Sequence, residues 1–387
     1  MPGPLPTACL PLERLTPRAL YVHLPFCARR CPYCDFATAP LDAAREARYL
    51  GALELELRAR APTGFRPWTV YLGGGTPTEL TTPGIERLVE LLRPYVADAR
   101  EVTVEANPRT LLARKLLRLR ELGVDRVSLG AQSFAPELLE TLGRFHRAVD
   151  VARAVEVVRE AGVRSLSLDL IFAVPGQGPR ELRADLEQLL AFGPDHVSVY
   201  CLTVEAETEF HRQRARGELR EQSSTRQARL FDLARRTLRA AGFEHYEVSS
   251  FARRGHRSRH NRVYWRNLPY LGVGNGAASH LQGERSHNAR DVDDYVARVH
   301  ASGEATVERE RLDPEAKLKE TVYLALRTSE GLVRAGFQRA TGVDAWEAFE
   351  DELGRLESLG LLRRSPRRAW LSGRGVSLAD AIAREFL

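Results

Sequence analysis

The chain reads as an α/β protein: a partial (β/α)6, TIM-like barrel with a small α+β, winged-helix-like domain at its C-terminal end. Three observations predict this. Short β-branched runs alternate six times with longer amphipathic stretches, the pattern of parallel strands joined by helices. Crossovers of that kind are right-handed, which curls the strands toward an open or closed barrel. Past Arg311 the alternation stops, and three helical patterns precede a short apolar run.

Taken in order, residues 1–17 (MPGPLPTACLPLERLTP) are expected to be a flexible leader, with no apolar run long enough for a signal peptide or a membrane span. The barrel is assigned to residues 18–300. Its strands are predicted at Ala19–Leu24, Trp68–Leu72, Glu101–Glu105, Arg126–Leu129, Ser165–Phe172 and His196–Leu202. Helices are predicted at Ala43–Arg60, Ile85–Tyr95, Thr110–Leu122, Ala148–Ala161, Arg180–Phe192 and Ser224–Ala241, where apolar residues recur every three or four positions. Phe243–Phe251 is a candidate further strand, and residues 250–280 read as a loop rich in Arg, Gly, His and Asn. The C-terminal domain is assigned to residues 305–387. Its predicted helices are Lys317–Arg327, Leu332–Thr341 and Trp346–Leu359, followed by a wing starting at Trp370 and a closing segment, Val376–Phe386.

At 43% hydrophobic and 28% charged, the composition is that of a soluble globular protein, which argues against a membrane-embedded or disordered chain. The net charge of +6 permits an anionic ligand or peripheral contact with acidic lipid, but the basic residues are scattered among acids and read mainly as solvated surface. Nucleic-acid binding by the winged-helix-like module is not expected, because the helix predicted at Trp346–Leu359 carries Glu347, Glu350, Asp351, Glu352 and Glu357, which phosphates would repel.

The most informative stretch is YVHLPFCARRCPYCDF, residues 21–36. Cys27, Cys31 and Cys34 are spaced C-x₃-C-x₂-C. Thiolates are soft ligands that suit iron–sulfur clusters or zinc. Three can hold three irons of one [4Fe–4S] cube and leave the fourth iron open, unlike the four-cysteine ferredoxin patterns. Zinc or inert thiols are the alternatives; no second cysteine or histidine pair follows at zinc-finger spacing. Pro25 and Pro32 favour a loop over a helix here. An open cluster needs a reducing compartment, so a cytoplasmic location is expected. Cys9 reads as incidental, and Cys201, after an apolar run, as a small buried residue.

The other special residues fall just past the predicted strand ends, which in barrel enzymes form the active face. Gly73-Gly74-Gly75-Thr76-Pro77 follows the second strand, Glu105 and Asn107 end the third, and Gln132 and Ser133 follow the fourth. Asp169 lies within the fifth, Pro175-Gly176-Gln177 follows it, and Thr203 and Glu205 follow the sixth. Consecutive glycines let a backbone approach a ligand closely.

With this spacing and the glycine loop one βα unit later, the chain resembles the radical S-adenosylmethionine (SAM) superfamily. The flanking YVHLPFC and CDF narrow the resemblance to its coproporphyrinogen dehydrogenase-like group. The resemblance implies a [4Fe–4S] cluster on Cys27, Cys31 and Cys34, with SAM on the open iron. It implies SAM contacts from Tyr21, Tyr33, Gly74, Gly75, Thr76, Glu105, Gln132, Arg144 and Asp169. The dehydrogenase branch carries a further cysteine where this chain has Phe36, together with a longer N-terminal segment. The heme-chaperone branch, the HemW-type proteins, resembles this chain in both respects and in the H-N-x-x-Y-W motif, here His260 to Trp265. That resemblance covers nearly the whole chain and implies heme binding, delivery to a respiratory acceptor protein, and His260 as a heme ligand, with Tyr264 and Trp265 stacked on the porphyrin. His146, His256 and His280 are weaker ligand candidates. A homodimer is compatible with this reading. The alternative is oxygen-independent oxidative decarboxylation of coproporphyrinogen III by a 5′-deoxyadenosyl radical.

Overall fold

The computed structural model describes residues 10–386; Cys9 lies outside them. Six strands, β1 (Ala19–Leu24), β2 (Thr69–Gly74), β3 (Glu101–Ala106), β4 (Arg126–Gln132), β5 (Ser165–Phe172) and β6 (His196–Cys201), stand side by side in sequence order. Every neighbouring pair is parallel. Covering both faces of a parallel sheet makes its strands read as near-continuous apolar runs, which is why their sequences announce them. Helices follow each strand, at 43–60, 82–96, 113–121, 148–160, 179–191 and 224–240 among others. Their starts are fixed locally: the Asp42 carboxylate accepts from Arg45 N, and Thr81 Oγ1 from Gly84 N. The buried helix faces and strand residues form one apolar core, including Leu53, Leu88, Leu116, Val158 and Leu186.

The sheet extends beyond the six expected strands. Phe243–Phe251 divides into a hairpin, β7 (Glu244–Glu247) and β8 (Ser250–Ala252), with β8 antiparallel to β6. At the opposite edge β9 (Tyr270–Val273) pairs parallel with β1, and β10 (Ala278–Leu281), β11 (Glu284–Asn288) and β12 (Thr306–Arg311) continue antiparallel. Four strands thus fall in or after the stretch read as a loop. Strand β9 (YLGV) is only four residues and broken by Gly272, and β10 to β12 are short and built largely from Ser, His, Arg and Glu, so no apolar alternation marks them. Strand β12 lies within the span assigned to the C-terminal domain, yet it pairs with β11 of the large sheet.

The C-terminal module has helices at 314–326, 334–341, 345–348 and 350–358. Its three-stranded antiparallel sheet has the order β13 (Leu332–Val333), β15 (Arg368–Leu371), β14 (Leu362–Arg364). The helix expected over Trp346–Leu359 breaks at Phe349, whose ring packs edge-on against Phe337 and Phe386 in the module's own core. From Leu10 onward the expected flexible leader is packed instead: Leu10 and Leu12 are buried in that same core and Pro11–Arg14 form a 3₁₀ turn. Two leucines flanking a proline supply enough apolar surface to anchor the segment. The module is tied to the large sheet by Lys317, whose Nζ donates to Asn267 Oδ1 at 2.9 Å, Glu320 Oε2 at 2.9 Å and His280 Nε2 at 3.0 Å.

Candidate functional site

The inner face of the six-stranded sheet and the loops past its C-terminal strand ends enclose a cavity of about 720 Å³. Side chains alternate across a strand, so every second residue points inward. On β4 these are Arg126, Ser128, Gly130 and Gln132; on β6, His196, Ser198 and Tyr200; on β5, Asp169 and Ile171. That residues from these strands and from β2 and β3 line one space is the signature of a partial barrel. Reading motifs at the strand ends missed the deeper polar wall of Arg126, Ser128, His196, Ser198 and Tyr71. Polar residues at a period of two within otherwise apolar strands were the signal that marked it.

Cys27, Cys31 and Cys34 all line the mouth of this cavity as free cysteines. The loop holding them is pinned at both ends: Cys27 N donates to Ala39 O at 3.0 Å, and Cys34 N to Cys31 O at 3.1 Å. Burial pushes the Cys27 thiol up to about 11, so its thiolate form requires a cationic partner such as a metal. Among the described residues, no three His, Cys, Asp or Glu side chains converge as they would on a single metal ion. A four-iron cube instead takes its thiolates on separate corners. Thr76 Oγ1 lies 3.3 Å from Cys27 Sγ and Arg144 Nη1 donates to Cys31 Sγ at 3.7 Å, so the sulfurs have polar support suited to an anionic cluster. The donor set fits a three-thiolate cluster.

Gly74 and Gly75 are on the cavity wall, but their lack of a side chain first serves the protein. A Cβ on Gly74 (φ +105°) would sit 2.5 Å from the His23 ring, and one on Gly75 2.4 Å from the Pro25 carbonyl oxygen. The loop is therefore squeezed against the end of β1. Its amide is used: Gly74 N donates to Glu105 Oε2 at 3.1 Å, and Tyr71 OH donates to Glu105 Oε1 at 2.7 Å. Burial, with a further contribution from Asp169, pushes the Glu105 carboxyl up to about 7. Asp169 accepts from Ser128 Oγ at 3.0 Å and Ser167 Oγ at 3.2 Å, and burial likewise raises it.

Gln132 has φ +63° at a register shift in β4, a bulge that re-aims its side chain toward the cavity. Two residues of one loop bracket that bulge. Arg144 Nη2 donates to Gly130 O at 3.0 Å, and His146 Nε2 donates to Ala131 O at 2.9 Å. Arg144 Nε and His146 Nδ1 are buried without a protein partner, and both residues line the cavity. Tyr33 also lines it and packs near Phe210.

Other expectations change. Tyr21 is not on the cavity wall: its ring packs on Tyr71 at 6.1 Å and its hydroxyl lies 3.1 Å from His23 Nδ1. Ser133 and Gln177 turn away to bond the buried Asp185 carboxylate. Cys201 is half-buried and lines the cavity.

The largest change concerns His260. It is 1% exposed, and both ring nitrogens are engaged, Nδ1 with Thr69 Oγ1 at 2.9 Å and Nε2 with Tyr264 OH at 2.8 Å. Burial pushes it down to about 3, so it is neutral. Its helix, Arg259–Trp265, is capped by Glu101, which accepts from Arg259 N and His260 N at 2.9 and 3.0 Å. Thr69 and Glu101 are the first residues of β2 and β3, so this helix closes the N-terminal end of the barrel. At about 3.3 Å per residue, the length of β2 separates it from the cysteine rim by roughly 17 Å. The expected heme-ligand role therefore has no open imidazole nitrogen here. Tyr264 packs edge-on against His260 and Tyr270, and the Arg327 guanidinium lies 5.3 Å over the Trp265 ring. His256 Nδ1 lies 3.2 Å from Ser165 Oγ, and His280 Nε2 accepts from Lys317 Nζ at 3.0 Å.

Comparison with known proteins agrees with this architecture. The Radical SAM superfamily model matches residues 21–189 and the HemN C-terminal domain model residues 312–378. Heme chaperone HemW of Bacillus subtilis is 34% identical over 375 residues, 96% of this chain and 99% of that protein. Heme chaperone HemW of Lactococcus lactis is 33% identical, covering 96% and 97%. The solved structure of Escherichia coli coproporphyrinogen III oxidase, HemN, a radical SAM enzyme, superposes with a TM-score of 0.83 at 25% identity, covering 98% of this chain and 91% of that one. A three-cysteine loop over a partial barrel, with end-to-end similarity of this extent, makes the chain a member of the HemW family within the radical SAM superfamily.

Proposed function

We propose that this chain is a heme chaperone that carries a SAM-bound [4Fe–4S] cluster and hands heme to a respiratory acceptor protein. The observation that carries this reading is the similarity to HemW proteins along nearly the entire chain. Phe36, where the dehydrogenase branch has a further cysteine, favours it over coproporphyrinogen decarboxylation. Among the described residues no helix is long and apolar enough to cross a membrane. The cytoplasmic location belongs to the proposal because an open cluster needs a reducing compartment.

Cys27, Cys31 and Cys34 would hold the cluster, which when bound supplies an open iron for the SAM amino and carboxylate groups and one electron. The chain's own residues orient the ligand. Arg144 faces the cysteine loop as a permanent cation suited to a carboxylate. Glu105, held by Tyr71 and Gly74, offers an acceptor to an ammonium or a hydroxyl. Asp169, steadied by serines, offers a second. Gln132, aimed by the bulge, and Tyr33 complete the wall.

Anaerobic reconstitution followed by separate titration with heme and coproporphyrinogen III tests the reading. Stoichiometric heme binding without protoporphyrinogen formation is expected. Turnover of coproporphyrinogen III with SAM and reductant, or no heme binding, would overturn it.

A further inference from the structure

We infer that heme docks at the cavity mouth, where Phe36 and Phe145 take the flat face of a tetrapyrrole and Arg29, Arg30 and Arg109 receive its carboxylates. This rests on the heme-chaperone reading and gives it a surface. A tetrapyrrole dicarboxylate needs two things of a protein: an apolar plane of aromatic contact, and cations at the carboxylate edge.

The mouth supplies the first. Phe36 and Phe145 are 58% and 57% exposed, and both line the cavity. Every other phenylalanine among the described residues is buried or partly buried. Exposing two large rings at one opening costs hydrophobic stabilisation with no return inside the fold. Phe36 follows the third cysteine by two residues, and Phe145 follows Arg144, so both rings sit on loops that also carry the cluster support.

The mouth supplies the second as well. Arg29, Arg30 and Arg109 line the same opening. The Arg29 guanidinium lies 4.9 Å over the Phe145 ring. Arg30 Nε donates to the Cys34 carbonyl at 3.1 Å, which orients it without neutralising it. None of the three forms an ion pair among the described residues, although arginines elsewhere on this chain commonly do. Nearby Asp35 is already paired with Arg290 at 3.1 Å, which leaves these guanidinium groups available. Glu79 and Glu205 also face the opening and would repel a carboxylate edge placed on their side, which gives the ligand one preferred orientation. With His260 engaged at the opposite end of the barrel, and His146 only 3% exposed with its Nε2 bonded to Ala131 O, stacking and charge carry the binding.

Two ligands separate this site from one built around iron coordination. Full-length, anaerobically reconstituted protein is titrated with heme and with iron-free protoporphyrin, and iron per chain is measured in each variant. Wild type is expected to bind both. Phe36→Ala/Phe145→Ala is expected to weaken both by about tenfold or more with cluster iron unchanged. Arg29→Glu/Arg109→Glu should weaken both and reduce the salt dependence of binding. Binding at wild-type strength in the phenylalanine double variant would overturn the inference while leaving the chaperone reading intact. So would heme binding by wild type with no binding of protoporphyrin. Failure of wild type to bind heme at all would overturn both.

Discussion

Arg144 bridges the cysteine loop to strand β4: Nη1 donates to Cys31 Sγ at 3.7 Å while Nη2 donates to the Gly130 carbonyl at 3.0 Å. One guanidinium thus fixes the distance between the cluster loop and the bulge that aims Gln132. Its Nε is buried without a protein partner, and the residue lines the cavity.

Lysine cannot reproduce that fork, because it offers a point charge on a flexible stem. Arg144→Lys is expected to keep cluster iron near wild type and to weaken SAM binding by about tenfold or more, read by equilibrium binding to the reconstituted protein. SAM affinity equal to wild type would remove Arg144 from the SAM site.

Glu105 makes the cluster-free protein pH-sensitive in a defined direction. Its carboxyl is near 4.5 when unfolded and about 7 when folded, raised first by burial. Between those values the folded state keeps a proton that the unfolded state has lost. Its contribution is therefore fully present below about pH 4.5, falls as pH rises toward 7, and is flat above. The difference amounts to roughly 3 kcal/mol. Glu105→Gln should thus gain stability relative to wild type from pH 5 to 7.5, measured by urea unfolding. Parallel pH profiles would show the carboxyl to be ionised in the fold.

Gly75→Ala would push a Cβ to 2.4 Å from the Pro25 carbonyl oxygen. Backbone cannot yield there without moving the end of β1, so a loss of more than about 2 kcal/mol is expected in protein without SAM. Gly51→Ala, where nothing lies within 4 Å in the middle of a helix, should gain slightly. Equal stability of the two variants would mean that the glycine loop is kept open only for a ligand.

His260→Ala removes an imidazole that satisfies two buried hydroxyls, Thr69 and Tyr264, and packs on Tyr71. A loss of roughly 2–4 kcal/mol is expected from the lost packing and the stranded hydroxyls. Heme affinity of the folded fraction should be unchanged. A heme-binding defect at unchanged stability would restore His260 as a ligand.

The barrel was legible because its strands are buried on both faces. VSLGAQ and SLSLDLIF cannot be solvent-facing segments, and Ser165–Phe172 matches the observed strand residue for residue. Cys27, Cys31 and Cys34 were legible because spacing alone brings such residues together. The edge strands β9 to β12 were not, since TVERER is almost wholly exposed and has no apolar period to read. The position of His260 was not legible either. A motif names the residues in a helix but not which end of a barrel that helix closes; this was decided by Glu101 capping it from the first residue of β3.

The most direct measurement is iron and sulfide per chain after anaerobic reconstitution, in wild type and in Cys27→Ser, Cys31→Ser and Cys34→Ser. About four of each in wild type, and close to none in each serine variant, is the predicted result. Zinc in place of iron, or a full cluster surviving loss of any one of the three sulfurs, would contradict it.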